Sequence, residues 1–147
     1  MGYSAFLERM GEVNDLLNAK SILSWDAKTM MPPGGADTRA KQLATLTVVA
    51  RDHLVADETR RLLEQAEAET ANLASDSVER TICGQVREAI EYHLRIPTAL
   101  VHKRAEVGSI GQHIWAKARA ESDFASFETV LEETIVLNQE MAECIGY

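Results

Sequence analysis

The sequence predicts an all-α protein, a bundle of about six antiparallel helices, on three observations. Apolar residues recur at three- and four-residue spacing along almost the whole chain, the mark of amphipathic helices. No stretch alternates apolar and polar residues for long enough to read as a strand. With 147 residues, 46% of them hydrophobic and 26% charged, the chain has the size and composition of a single helical domain over 1–147. A chain of this length can bury about 68–70% of its unfolded surface, enough for a core without metals or disulfides.

The first helix is expected from about Ser4 to Lys28, with Phe6, Leu7, Met10, Val13, Leu17, Ile22 and Leu23 as its buried stripe. Met30-Met31-Pro32-Pro33-Gly34-Gly35 ends it, because two prolines remove amide donors and two glycines permit positive φ. A second helix follows from about Asp37 to His53, turning Leu43, Leu46, Val49 and Ala50 inward. Asp57 and Glu58 place negative charge at the start of a short third helix that runs to about Glu69. Thr70 to Ser75 is small and polar, a connection.

Asp76 and Glu79 have the spacing of a capping box, and Val78, Ile82, Val86, Ala89, Ile90 and His93 mark one face of a fourth helix, which Pro97 stops. Thr98 begins a fifth helix with Val101, Ala105, Ile110, Ile114 and Trp115 inward. Gly108 and Gly111 inside it each cost about 1 kcal/mol relative to Ala, which suggests a close neighbour or a kink. Asp123 or Ser126 begins a sixth helix carrying Phe127, Val130, Leu131, Leu137 and Met141, with Gly146 as its cap.

Fifteen Lys and Arg against twenty-three Asp and Glu leave a net charge of −8, which argues against nucleic acid and against an anionic membrane surface as partners. The longest uncharged apolar stretch, Leu43 to Ala50, is far short of the roughly 20 residues that cross a bilayer. Met1 to Phe6 lacks the basic and apolar regions of a secretory signal, and Phe6 stands where myristoylation needs Ser or Thr. Cys83 and Cys144 are too few and too far apart for a disulfide framework, so both are expected as buried thiols in a reducing cytoplasm.

Chemistry is sparse. No histidine is followed by Glu in a His-Glu-x-x-His pattern, and no acid stands three residues before a histidine. His102, Glu106 and His113 could share a helical face, but seven residues of helix between Glu106 and His113 span about 10 Å, too far to close on one ion. His102 and Glu106 are expected as a surface pair, His53 as a solvated helix end and His93 as a core or boundary residue. No nucleophile elbow or glycine-rich phosphate loop is present. After Arg119 the chain holds seven acids and no Lys or Arg, and Glu140 and Glu143 oppose the dipole of the last helix. This hints at a partner surface or further chain beyond.

Leu23-Ser24-Trp25-Asp26-x-x-Thr29-x-Met31-Pro32-Pro33-Gly34, followed by Arg39-x-x-Gln42-Leu43-Ala44-x-Leu46, resembles the amino-terminal region of the carboxypeptidase Taq family of metallocarboxypeptidases. Arg95-x-Pro97 with Leu100-Val101, Trp115-x-x-Ala118-Arg119, Asp123-Phe124-x-x-Phe127, Leu131 and Gly146-Tyr147 continue the likeness in the same order. The resemblance implies the amino-terminal part of a larger α-helical metallopeptidase fold, whose zinc or cobalt site and substrate-carboxylate-binding residues lie downstream of this region. It therefore implies no catalytic, cofactor-binding or metal-binding residue within this chain.

In the whole enzyme the resemblance implies removal of single residues from peptide carboxy-termini by metal-activated water, with these helices as a wall or lid of the cleft. The implied partners are the remaining C-terminal part of the same enzyme and a peptide substrate, and an apolar patch left for that part implies self-association of the chain alone. The signature residues carried over are Trp25, Asp26, Thr29, Met31, Pro32, Gly34, Arg39, Gln42, Trp115 and Arg119. Two roles stand open for the Trp25 to Gly35 corner. It either helps set the shape of the cleft, or Trp25 is a core anchor, Asp26 bonds the following turn, and Met31-Pro32-Pro33 is a rigid corner. A free-standing helical interaction module of the same ancestry is the alternative function.

Overall fold

The computed structural model describes residues 2–147. Among them the chain forms six helices and no strand: α1 Gly2–Thr29, α2 Ala36–Val55, α3 Asp57–Thr70, α4 Val78–Arg95, α5 Thr98–Glu121 and α6 Ala125–Ile145. The helical expectation holds, with each end within a few residues of its sequence signal.

The ends follow from local chemistry. The Asp26 carbonyl accepts from the amides of both Met30 and Met31, closing α1. Pro32 is then extended at φ −65° and ψ 149°, and Pro33–Gly35 makes one tight 3-10 turn into α2. Ala56, also extended at ψ 149°, separates α2 from α3, whose first turn carries Asp57 and Glu58 as expected. At α4 the expected capping box does not form. Ser77 caps instead: its hydroxyl accepts from the Arg80 amide at 3.3 Å and its carbonyl takes the first helical bond from Thr81.

Ser122 closes α5 in the left-handed region at φ 56°, a position that nothing in the sequence announces because glycine is its usual occupant. The Asp123 carboxylate accepts from the Ser126 amide at 3.3 Å at the start of α6. Gly146 caps α6 at φ 96° as anticipated, its amide directed at the Ala142 and Glu143 carbonyls.

The chain divides into two compact units, one of Met1–Leu17 with Val49–Arg95 and one of Asn18–Val48 with Ile96–Tyr147. In the first unit α3 packs on α4, and the core gathers Phe6, Leu63, Ala66, Cys83 and Ile90, with Tyr3, Met10 and Leu54 against it. In the second, α5 packs on α6 through Val107, Val130 and Leu137, flanked by Leu100, Ile114 and Phe127. A Cβ at Gly111 would sit 3.4 Å from Val130 Cγ2 on α6, an ordinary contact, whereas one at Gly108 would meet nothing. Close approach therefore requires glycine at neither position, and α5 continues through both without a break.

Several residues expected inside are exposed: Leu7, Leu17, Ile22, Val49, Val78 and Trp115. In α1, Phe6 and Val13 are buried seven residues apart, while Leu7 is turned about 100° from Phe6 and Ile22 about 180° from Val13. The apolar residues of α1 therefore occupy several faces. Val78 is the first residue of its helix, where the flanking turn gives little cover. Cys83 is buried, and that burial pushes its thiol pKa up, but Cys144 is only half-buried, contrary to expectation.

Candidate functional site

Eight of the ten signature residues lie at the α1–α2 corner of the second unit. Trp25, Asp26 and Thr29 fall on the last turns of α1, Met31, Pro32 and Gly34 on the bend, and Arg39 and Gln42 on the first turns of α2. Arg39 ties the corner together. Its Nη1 donates to the Asp26 carboxylate at 2.6 Å and to the Leu23 carbonyl at 2.8 Å, and its Nε donates to Gln42 Oε1 at 3.1 Å. A planar guanidinium with several fixed donors suits this branched task. Thr29 turns its hydroxyl back onto the Trp25 carbonyl at 2.8 Å.

The corner bears on the two roles left open for Trp25. Trp25 is 62% exposed, so no core formed by these residues alone encloses it. The Asp26 carboxylate meets Arg39, while its backbone carbonyl holds the turn. Gly34 has open space around it, and Met31 is half-buried, its Cγ 3.0 Å from where a Cβ on Gly35 would stand.

Trp115 and Arg119 belong to a second cluster of the same unit. The Arg119 guanidinium stacks over the Trp115 ring at 5.3 Å. Both line a cleft at the α5–α6 turn with Ala118, Asp123, Phe124 and Phe127. Phe124 is 61% exposed there.

Sequence reasoning missed a third feature of this unit, a groove of about 360 Å³ bordered by α1 and α2 on one side and α5 on the other. Lys20, Lys28, Arg104 and His113 line it, and no carboxylate does. The signal available was the positions of these basic residues, eight apart on α1 and nine on α5, but net charge alone hides it.

The histidines depart from expectation in two places. His53 is partly buried with Nδ1 unpaired, and its carbonyl receives the Thr59 hydroxyl at 2.6 Å, so it is not a solvated end. His102 and Glu106 form no ion pair among the described residues. Lys103 instead pairs with Glu133 at 2.8 Å, which raises its pKa. His93 is a boundary residue as expected, its pKa lowered by burial and by the Arg51 charge. Among the described residues no three His, Cys, Asp or Glu side chains gather as a metal-ligand set. No helix among them is long and apolar enough to cross a membrane.

Comparison with known proteins gives one answer. The family model described as Carboxypeptidase Taq (M32) metallopeptidase matches residues 5–147. Thermostable carboxypeptidase 1 of Pyrococcus furiosus is 30% identical over 130 residues, 88% of this chain and 26% of the relative. Thermostable carboxypeptidase 1 of Thermus thermophilus is 27% identical over 145 residues, 97% of this chain and 28% of the relative. The BsuCP crystal structure superposes with a TM-score of 0.92 at 21% identity, over 99% of this chain and 29% of that one. The Pyrococcus furiosus carboxypeptidase structure in its apo-Mg form gives a TM-score of 0.74 at 27% identity, over all of this chain and 29% of that one. The chain thus spans little more than a quarter of the length of the curated relatives it matches.

Proposed function

The chain belongs to the carboxypeptidase Taq (M32) metallopeptidase family, and from that premise we propose that residues 1–147 are the amino-terminal helical segment of a metal-dependent carboxypeptidase. The whole protein removes single residues from the carboxy-termini of peptides, and this segment forms part of the wall or lid of its cleft. The observation that carries the reading is the pairing of a family match over nearly the whole chain with coverage of only 26–28% of the relatives. A zinc site needs at least three converging protein ligands, and among the described residues no three His, Cys, Asp or Glu side chains gather in that way. This supports the reading that the ligands for zinc or cobalt belong to the rest of the enzyme.

In this reading the α1–α2 corner shapes the cleft, and the Arg39 network keeps that shape. The protein works in the cytoplasm on peptide substrates. Its exposed apolar residues, Ile22, Trp25 and Phe124 among them, are covered by the C-terminal part of the enzyme. The chain alone self-associates through them, which sedimentation at rising concentration reads directly; a strictly monomeric profile would remove this point.

The test of the whole reading is reconstitution. The coding sequence is read past codon 147, the following segment is expressed separately, and the two parts are mixed with a peptide and assayed for release of its last residue. Release by the mixture, abolished by a chelator and absent from either part alone, is the expected result. A stop codon at that point would favour a free-standing interaction module. Chelator-sensitive cleavage by residues 1–147 alone would overturn the assignment of the metal to the remainder.

A further inference from the structure

We propose that the groove bordered by α1, α2 and α5 binds an extended, acidic stretch of peptide about four residues long. The inference rests on the peptidase reading for the identity of the peptide as a substrate, and on the groove itself for its acidity.

Three observations carry it. The groove walls hold Lys20, Lys28, Arg104 and His113 and not one carboxylate, in a chain whose net charge is −8. An acidic protein that concentrates cations in a concavity attracts and orients anions there.

The second observation is pairing. Arg39, Arg87 and Lys103 hold acids, whereas Lys20, Lys28 and His113 have no ion-pair partner among the described residues. The two ammonium charges and the imidazole are available to a ligand.

The third is size. A simple anion would leave most of about 360 Å³ unfilled, since a water molecule takes up about 30 Å³ of liquid. Lys20 and Lys28 are separated by about 12 Å of helix and Arg104 and His113 by about 13.5 Å. An extended peptide rises about 3.3 Å per residue, so four residues match that length. Ser24, Ser109 and Gln112 stand along the groove as hydrogen-bonding groups for a peptide backbone. Gly108, around which a Cβ would find nothing within 4 Å, leaves the surface of α5 open to close approach.

The test is fluorescence anisotropy of rhodamine-labelled Ala-Glu-Glu-Glu-Ala titrated with the protein, beside the matching Ala-Lys-Lys-Lys-Ala. The acidic peptide should bind at least about tenfold more tightly, and added salt should weaken it. Lys20→Glu with Lys28→Glu should raise its Kd by about tenfold or more. Lys41→Glu with Arg61→Glu carries the same change of net charge outside the groove and should leave Kd within about twofold. Gly108→Leu should block the peptide by filling the groove, and circular dichroism would report intact helix content in every variant.

Equal binding of the two peptides, no binding of the acidic one, or equal effects of the two charge-reversed variants would overturn the inference. Full displacement by inorganic phosphate at similar concentration would also overturn it, by making this a site for any small anion. Binding is read without hydrolysis, so failure here leaves the reconstitution result standing, and failure of reconstitution leaves the binding result standing.

Discussion

The two compact units put their polar side chains to different uses. In the first, polar groups serve the backbone: Arg9 reaches the Thr59 hydroxyl at 2.9 Å and the His53 carbonyl, Arg51 donates to the His93 carbonyl at 2.9 Å, and Arg87 pairs with Glu67. Phe6 and Leu63 fill the core between these ties, with Thr59 wholly enclosed beside the His53 carbonyl. In the second unit Arg39 and Thr29 play a comparable part among the signature residues, while a cationic groove and an aromatic cleft open to the outside. The first unit has a smaller concavity of about 180 Å³ beside Leu63 and Ile90, but it is lined by the acids Glu64 and Glu91 as well as by Arg60 and Arg87, whereas no carboxylate lines the larger groove of the second. The difference lies in the charges that line each concavity, mixed in the first unit and without a carboxylate in the second.

Substitutions sharpen that contrast, beginning with the core of the first unit. Phe6→Ala removes a fully buried ring and should cost about 3–5 kcal/mol of unfolding free energy in urea titration. A loss under about 1 kcal/mol would show that this core is not tightly packed.

Arg39→Ala should cost about 1–2 kcal/mol, because Asp26 and the Leu23 carbonyl lose their donor while remaining partly accessible to water. No loss would mean that the corner holds its shape without the network.

Acid should bear on the first unit through His93. Its folded pKa lies below the ordinary 6.5, so the unfolded chain binds the proton more readily. The contribution is fully present above about pH 6.5 and is lost as pH falls through that value towards the lowered folded pKa. His93→Gln should flatten the urea midpoint between pH 7.5 and pH 5.5, and an unchanged slope would remove the histidine from the account.

Gly108→Ala should stabilise the second unit by about 0.5–1 kcal/mol, since the added methyl meets open space on a helix. Trp25→Ala is the smallest expected effect, within about 0.5 kcal/mol, because the ring is mostly in solvent. A large loss at Trp25 would restore it as a packing residue and blur the contrast between the units.

The helices and their breaks were legible from local signals. Pro32-Pro33, Pro97 and Gly146 fix backbone geometry whatever surrounds them, and all three stops stand where the sequence puts them. Burial was less legible, because periodicity names a stripe and not whether anything covers it; Trp115 and Ile22 show the gap. Ser122 escaped notice because its left-handed conformation is set by the α5–α6 turn and not by the residue. At the corner, the likeness to the family marked Asp26, Arg39 and Gln42 one by one, but only three dimensions join them. The groove was the least legible, since its walls come from stretches more than fifty residues apart in sequence and its character depends on which charges lack neighbours.

Four arginines and two lysines do different work, although Arg104 also lines the groove. Guanidinium groups fasten backbone carbonyls, Arg9 at His53, Arg39 at Leu23, Arg51 at His93 and Arg80 at Ala71 and Leu73, while Lys20 and Lys28 stand in the groove. Arginine keeps its proton at every biological pH and lysine is the target of acylating enzymes. Acetylation of amines can therefore change what this surface attracts without loosening a single joint, whereas a dicarbonyl that condenses with guanidinium would attack the joints themselves.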